Sequence, residues 1–170
     1  MTAPFKRRAI YCGSATPSDP VYIENARMVG ATLAGRGIGG LQEPADVLDM
    51  GNSGTSTRLL MGLVASHPIT AMFTGDASLS RRPMARVTDP LSEMGAEFNA
   101  SPGGTLPLMV RGINPAVPIT YRLPVASAQV KSAILLAGLN TAGATTVIEA
   151  EPTRDHTELM LRHFGATVTT

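Results

Sequence analysis

The chain has few cysteines, few lysines and no long apolar run, and each shortage excludes a class of protein. Cys12 is the only cysteine among 170 residues, which excludes an internal disulfide and a thiolate metal site. The three histidines lack the spacing of a metal site, so we expect no metal and no cofactor. No run is apolar enough to span a membrane, and the amino-terminal residues lack the pattern of a signal peptide. A single cysteine fits a reducing compartment, so we expect a cytoplasmic protein.

Charge is scarce and nearly balanced. Charged residues make up 16% of the chain and the formal net charge is +1, so no overall field favours nucleic acid or an acidic surface. Hydrophobic residues make up 44%, which is typical of a globular domain. Lys6 and Lys131 are the only lysines, and the other twelve basic residues are arginines. A GC-rich genome explains this bias; arginines that converge would instead grip phosphate or carboxylate with two hydrogen bonds each.

The pattern of apolar residues and turns predicts a mixed α/β (α+β) fold. Apolar spacings of three and four residues predict helices, and short apolar runs between turn residues predict strands. The predicted helices cover 21–36, 57–66, 84–94, 127–139 and 157–164, with a kink or break near Pro90. The predicted strands cover 9–13, 47–50, 69–74, 96–100, 106–111, 119–123, 144–149 and 166–169.

Two stretches of the chain share one plan, which favours an internal duplication. Ser53–Gly95 has a small polar start, an apolar helix, a strand, a polar loop with arginine and a second helix. Ser127–Gly165 repeats this order, and both stretches are followed by alanine, at Ala96 and Ala166. Any α/β chain alternates in this way, but the matched helix starts and Gly-Ala ends make duplication the better interpretation.

Four segments at helix starts are candidates for binding an anion. Gly51–Arg58 is rich in small residues and leads into a helix, whose free N–H groups favour negative charge. Gly75–Pro83 carries two adjacent arginines, which would clamp a phosphate or lie solvated in a loop. Ser127–Gln129 and Thr153–Thr157 offer hydrogen-bonding groups that would equally well cap the helices after them. Residue types and spacing alone favour the solvated loop at Gly75–Pro83 and leave both interpretations open at the other three segments.

Taken in order, these segments resemble the bacterial 3-phosphoshikimate 1-carboxyvinyltransferases, or EPSP synthases. The matching motifs are Leu48-Asp-Met-Gly-Asn-Ser-Gly-Thr55, Gly75-Asp-Ala-Ser-Leu-Ser-Arg-Arg-Pro83, Ala126-Ser-Ala-Gln-Val-Lys-Ser-Ala133 and Thr153-Arg-Asp-His-Thr-Glu158. The resemblance implies a transferase that moves the carboxyvinyl group of phosphoenolpyruvate onto shikimate 3-phosphate. This reaction belongs to the shikimate pathway, which leads to the aromatic amino acids. It also implies a partial domain built from βαβαββ repeats.

The resemblance further implies roles for eight residues. Those expected to bind phosphoenolpyruvate are Asn52, Gly54, Thr55 and Arg82, and those expected to bind shikimate 3-phosphate are Ser127, Ala128, Gln129 and Arg154. The catalytic residues stay unknown, because neither Asp49 nor Asp76 matches a proton-transfer position of the family. The family's upstream substrate-binding lysine and its second domain have no counterpart here, so we expect a central fragment that is inactive by itself.

Residues 9–38 resemble a different family. Within 9–38, Ile10-Tyr-Cys-Gly-Ser14 and the helix after it are similar to the start of the lysine decarboxylase-like phosphoribohydrolases, although that family's Pro-Gly-Gly-x-Gly-Thr-x-x-Glu motif is absent. We therefore predict a chimera: a strand–helix segment of other origin at 1–38 and a partial carboxyvinyltransferase domain at 39–170. The alternatives are a non-catalytic chimeric module and, less favoured, a nucleotide phosphoribohydrolase-like protein.

The expected partners follow from the same resemblance. They are the small molecules phosphoenolpyruvate and shikimate 3-phosphate, with no nucleic acid and no membrane. A protein partner would be the remainder of the enzyme or a second copy of this chain in a dimer.

Overall fold

The structure is a computed structural model, and it describes residues 41–170. This part of the chain contains four helices, a short 3₁₀ helix and six strands. In chain order they are β1 (Leu48–Asp49), α1 (Gly54–Ala65), β2 (Thr70–Thr74), the 3₁₀ helix (Leu79–Arg81), α2 (Ala85–Glu93), β3 (Glu97–Ser101), β4 (Thr105–Arg111), β5 (Thr120–Arg122), α3 (Ala128–Gly138), β6 (Thr146–Ile148) and α4 (His156–His163). The predicted α/β class is confirmed.

The first unit, β1 to β4, is one complete βαβαββ repeat. Its four strands form a sheet in the order β1-β2-β4-β3, with β1 parallel to β2 and β4 antiparallel to both of its neighbours. Alternate residues of β2 and β4 point into the core, and Phe73 and Leu108 are paired across these strands and fully buried. This period of two explains why one face of the sheet packs on the helices.

The second unit runs from β5 to α4 and has the order βαβα. Strands β5 and β6 are parallel neighbours, with Tyr121 opposite Val147, and α3 connects them. The connection β1–α1–β2 of the first unit has the same form, because β1 and β2 are also parallel neighbours joined by one helix. The duplicated order predicted from the sequence is present in the structure as far as α4.

The second helices of both units end in the same way. Gly95 and Gly165 have φ angles of 102° and 93°, a region that glycine adopts without steric cost. Ala96 N donates to Leu91 O at 3.2 Å, and Ala166 N donates to Leu161 O at 2.9 Å. These are Schellman motifs, so the two Gly-Ala pairs seen in the sequence are equivalent helix ends.

The two units contact each other through α1 and α3. A Cβ atom on Gly62 would lie 2.2 Å from the carbonyl oxygen of Ala133, so glycine is needed for the helix backbones to approach this closely. Near the carboxyl ends of the same helices, Asn140 Nδ2 donates to Ser66 Oγ at 3.2 Å. Helices α1 and α3 are therefore packed closely against each other from their middle turns to their carboxyl ends.

One prediction about secondary structure is wrong. No strand forms at 166–169. Residues 166–169 correspond to β3 of the first unit, and β3 pairs only with β4. No described residues of the second unit supply a strand equivalent to β4, so 166–169 have no strand to pair with. Of the kink or break expected near Pro90, the break does not occur, because α2 continues to Glu93 with Val87, Pro90 and Leu91 buried on its inner side. The predicted strand at 9–13 and helix at 21–36 lie outside the described residues.

Candidate functional site

The start of α1 is shaped by a capping serine. Ser53 Oγ accepts a hydrogen bond from Ser56 N at 3.3 Å, and Thr57 Oγ1 donates to Ser53 O at 2.7 Å. Gly51 just before it has a φ of 53°, and its carbonyl oxygen accepts from Asp76 N at 2.8 Å. The glycine-rich loop before α1 and the loop after β2 are therefore adjacent.

Asn52 joins these two loops. Its Nδ2 donates to Asp76 Oδ2 at 2.6 Å, and its Oδ1 accepts from Arg82 Nη2 at 2.8 Å. Arg82 Nη2 also donates to Ser78 Oγ at 3.2 Å. Hydrogen bonds from Leu79 N and Asn52, together with the charge of Arg82, hold the pKa of Asp76 below its ordinary value. Arg82 is thus fixed at the helix start, whereas its neighbour Arg81 is exposed.

Gly54 lies between two guanidinium groups. A Cβ atom at this position would be 2.8 Å from Arg58 Nη1 and 3.1 Å from Arg82 Nη1. Neither guanidinium is within ion-pair distance of a carboxylate in the part of the chain that the structure describes. Two guanidinium groups without a direct ion pair thus stand at this helix start, with Asp76 linked to Arg82 only through Asn52, which suits an anionic ligand.

Gln129 connects the second unit to this site. Its Nε2 donates to Thr55 Oγ1 at 2.7 Å, and its Oε1 accepts from Arg58 Nη1 at 2.8 Å. Arg58 Nη1 also donates to Gly54 O at 3.2 Å. The structure thus brings together five of the eight residues that the sequence singled out: Asn52, Gly54, Thr55, Arg82 and Gln129.

Arg58 is the member of this site that the sequence did not single out. It is partly buried, and burial together with the charges of Arg82 and Arg86 lowers its pKa. Its position offered a signal, because a residue four places after Gly54 lies on the same face of a helix, one turn further along. An arginine inside an amphipathic helix is more often solvated, which hid that signal.

The other predicted residues have simpler surroundings. Ser127 caps α3, and its Oγ accepts from Val130 N at 3.4 Å. Ala128 is the first residue of that helix. Arg154 is exposed and forms no hydrogen bond or ion pair within residues 41–170. The capping interpretation of Ser127 is therefore confirmed, and no hydrogen bond within residues 41–170 joins Arg154 to Ser127 or Gln129.

The described residues contain no group of three or more histidine, cysteine or acidic residues placed to hold a metal ion. A search of residues 41–170 for a helix able to cross the hydrocarbon core of a membrane also finds none.

Fold and site together define a class of protein: an α/β domain built from βαβαββ repeats, with cationic side chains gathered where two helices start. The family model of EPSP synthase (3-phosphoshikimate 1-carboxyvinyltransferase) matches residues 21–170. The chain belongs to the EPSP synthase family.

Relatives and a solved structure agree with this family. A 3-phosphoshikimate 1-carboxyvinyltransferase of Novosphingobium aromaticivorans is 78% identical over 135 residues, covering 79% of this chain and 31% of that protein. The enzyme of the same name from Paramagnetospirillum magneticum is 75% identical over 136 residues, covering 80% of this chain and 30% of that protein. The structure of EPSP synthase from Acinetobacter baumannii is 54% identical, with a TM-score of 0.77, over 81% of this chain and 31% of that one. The chain thus spans about 30% of the length of the relatives it matches.

Proposed function

We propose that this chain forms part of a 3-phosphoshikimate 1-carboxyvinyltransferase and contacts both substrates of that reaction. The carboxyvinyl group of phosphoenolpyruvate would move to a hydroxyl of shikimate 3-phosphate, with release of inorganic phosphate. The observation that carries the proposal is a pair of hydrogen bonds at Gln129, one donated to Thr55 and one accepted from Arg58. A residue expected to bind shikimate 3-phosphate is thus hydrogen-bonded to Thr55, which is expected to bind phosphoenolpyruvate.

On the first unit, we assign phosphoenolpyruvate to the start of α1. Asn52, Gly54 and Thr55 line this start, and Arg82 is oriented by Asn52 and Ser78. The bonds to Asn52 and Ser78 engage both protons of Nη2, which leaves the Nη1 and Nε donors of this guanidinium for a carboxylate or phosphate. Gly54 supports the assignment, since a side chain there would displace the guanidinium ends from the helix start.

On the second unit, we assign shikimate 3-phosphate to the start of α3. The hydroxyl of Ser127 accepts a hydrogen bond from Val130 and can still donate one to a ligand. Gln129 and the first residue, Ala128, adjoin it, and Arg154 supplies an exposed cation from the loop before α4. These groups match a phosphate monoester that carries ring hydroxyls.

Groups for proton transfer are not evident among the described residues near the site. Asp76 accepts hydrogen bonds from Leu79 N and Asn52, which favour its ionised form. Asp49 Oδ1 accepts from Gly51 N at 2.9 Å and orders the loop. The reaction needs a positioned acid and base. We therefore expect the chain to bind its ligands without turnover, at about millimolar affinity or on the order of −4 kcal/mol.

The origin of residues 1–38 belongs to the same proposal. We infer that they form a segment of other origin joined to a carboxyvinyltransferase domain at 39–170, on the strength of the phosphoribohydrolase-like sequence within 9–38. The relatives match over 135 and 136 residues, which is about the length of the proposed domain. The family model starts at residue 21, which lies inside the segment inferred to be of other origin. The genomic reading frame around residue 40 tests the join: one uninterrupted gene without a boundary in that region would contradict it.

We also infer a cytoplasmic location, which is where phosphorylated intermediates of this kind are expected and which a single cysteine fits. A protein partner would be the remainder of the enzyme or a second copy of this chain. Size measurement of the purified chain, alone and mixed with a full-length relative, distinguishes these two.

The binding proposal is tested by titrating the ¹⁵N-labelled chain with shikimate 3-phosphate, phosphoenolpyruvate and AMP. We expect shikimate 3-phosphate to shift the amides of Ala128 and Gln129, and phosphoenolpyruvate to shift those of Gly54 and Thr55. Binding should weaken as salt rises, because exposed ionic contacts carry it. AMP should cause no shifts. Shifts with AMP alone would favour a phosphoribohydrolase-like protein, and no shifts with any ligand would favour a non-catalytic module.

A further inference from the structure

A buried ionic cluster lies directly behind the start of α3. Lys131, two residues after Gln129, donates from Nζ to Glu149 Oε2 at 2.8 Å and to Glu158 Oε1 at 2.7 Å. The side chains of Lys131 and Glu158 are each 7% exposed and that of Glu149 is 16% exposed. Such burial is rare for charged residues and requires an explanation.

The cluster fastens the loop that carries Arg154 on both of its sides. Before Arg154, Glu149 contacts Lys131 and accepts a hydrogen bond from Thr153. After Arg154, Glu158 contacts Lys131, and the hydroxyl of Thr157 shares a hydrogen bond of 2.7 Å with that of Ser132. On α3, two adjacent residues, Lys131 and Ser132, make all of these contacts with the loop and with α4.

Stability alone does not explain this cluster. Two carboxylates share one ammonium group, and Glu158 Oε2 is buried with no hydrogen-bond partner within residues 41–170. Apolar side chains of similar volume hold helices together at least as well as buried ion pairs do. Burial opposes the ionised form of Glu149, but the hydrogen bonds from Lys131 and Thr153 outweigh it and hold its pKa below the ordinary value. Burial likewise opposes the ionised form of Lys131, but its hydrogen bonds to Glu149 and Glu158 outweigh burial and raise its pKa.

We propose that Lys131, Glu149 and Glu158 are positioning residues that hold Arg154 beside the start of α3, where it meets a phosphate monoester bound by Ser127 and Gln129. This inference rests on the proposed function and deepens it, because it explains how an exposed arginine without partners is aimed at a ligand. Directional ion pairs on both sides of the loop set its distance from α3, which non-directional apolar packing would not.

The test is a double-mutant cycle on the full chain, with shikimate 3-phosphate as ligand and amide shifts as readout. Glu149→Gln should weaken binding on the order of fivefold, and Arg154→Ala should weaken it at least as much. Adding Glu149→Gln to Arg154→Ala should then cause little further loss, since Glu149 acts through Arg154. Glu97→Gln is the matched control, because it makes the same change in an exposed ion pair with Arg111 at 3.6 Å.

A merely structural role gives a different pattern, which would overturn the inference. Losses that multiply in the double variant, or an equal loss of phosphoenolpyruvate binding, would show that Glu149 acts through general stability. If Glu149→Gln fails to fold, Glu158→Gln takes its place, since one of its oxygens has no partner to lose.

A second readout separates this inference from the proposed function. Amide hydrogen exchange of residues 150–155 in the ligand-free chain should become at least about fivefold faster in Glu149→Gln and stay unchanged in Glu97→Gln. Faster exchange without any binding of shikimate 3-phosphate by the unaltered chain would contradict the proposed function and leave the loop anchoring intact. Unchanged exchange would overturn the positioning role itself.

Discussion

The two units carry equivalent loops, after β2 and after β6, and fasten them by different means. In the first unit, exposed or partly buried hydrogen bonds among Asn52, Asp76 and Arg82 hold the loop. In the second unit, the buried ion pairs of Lys131 with Glu149 and Glu158 hold it. A duplicated backbone plan therefore does not dictate how a ligand-binding loop is fixed. The first arrangement should adjust to a ligand at little cost, whereas the second should resist displacement.

The largest effect is expected from Lys131→Met, which removes the cation of the buried cluster. Two buried carboxylates would lose their counterion, and the free energy of unfolding should fall by about 3–5 kcal/mol. Arg111→Met is the control in the exposed pair with Glu97, where about 0.5 kcal/mol is expected. Chemical denaturation monitored by circular dichroism measures both. Similar losses for the two variants would mean that the buried cluster is no stronger than a surface pair.

The contact between the units is probed by Gly62→Ala. The new methyl group would clash with the backbone of Ala133, whose carbonyl oxygen lies 2.2 Å from the Cβ position. We expect a net loss of about 1–3 kcal/mol, even though alanine favours helices over glycine by about 1 kcal/mol. Gly138→Ala, where the nearest atom is Thr145 Cβ at 3.1 Å, is the matched helix variant. A stabilised Gly62→Ala chain would show that α1 and α3 separate easily.

The acid side of the stability profile tests Glu149. Its folded-state pKa is below the unfolded value of 4.5, so its ionised form contributes stability above that pH and loses it as the pH falls through the folded pKa. At pH 7, Glu149→Gln should lower the free energy of unfolding by about 1–3 kcal/mol. The difference from the unaltered chain should shrink below pH 4.5. A difference that stays constant from pH 7 to pH 3 would contradict the ion-pair explanation.

The smallest effect on stability is expected from Gly54→Ala in the first unit. The methyl group meets the ends of two flexible side chains, Arg58 and Arg82, which can move aside, so the loss should stay below about 1 kcal/mol. Phosphoenolpyruvate binding should nevertheless weaken, because both guanidinium groups leave the helix start. Thermal unfolding and titration measure the two quantities separately. Unchanged binding would remove Gly54 from the site.

Much of the fold could be predicted from the sequence, because apolar period and turn residues are local signals. All four described helices were found, although α1 was predicted to start at residue 57 and begins at Gly54. The glycines and the asparagine before the helix resemble a turn, but the capping hydrogen bond of Ser53 makes the helix begin at Gly54. The strand at 166–169 could not be judged locally, because strands need a hydrogen-bonded neighbour.

The site was predicted in part for the same reason. Asn52, Gly54, Thr55 and Arg82 belong to motifs, and the structure brings them together with Gln129. Arg58 was missed because its partner Gln129 is 71 residues away. The cluster of Lys131, Glu149 and Glu158 was missed because its pairs join residues 18 and 27 positions apart, which only the tertiary fold makes neighbours.

The amide of Gln129 has a further consequence for the order of ligand binding. One of its two N–H donors is engaged by Thr55 and one of its two lone pairs by Arg58, so a ligand that displaces either bond releases a group of the other unit. Occupancy at one helix start then changes the hydrogen-bonding capacity offered at the other. Thermodynamic linkage makes this effect mutual: whatever factor the first ligand imposes on the affinity of the second, the second imposes on the first.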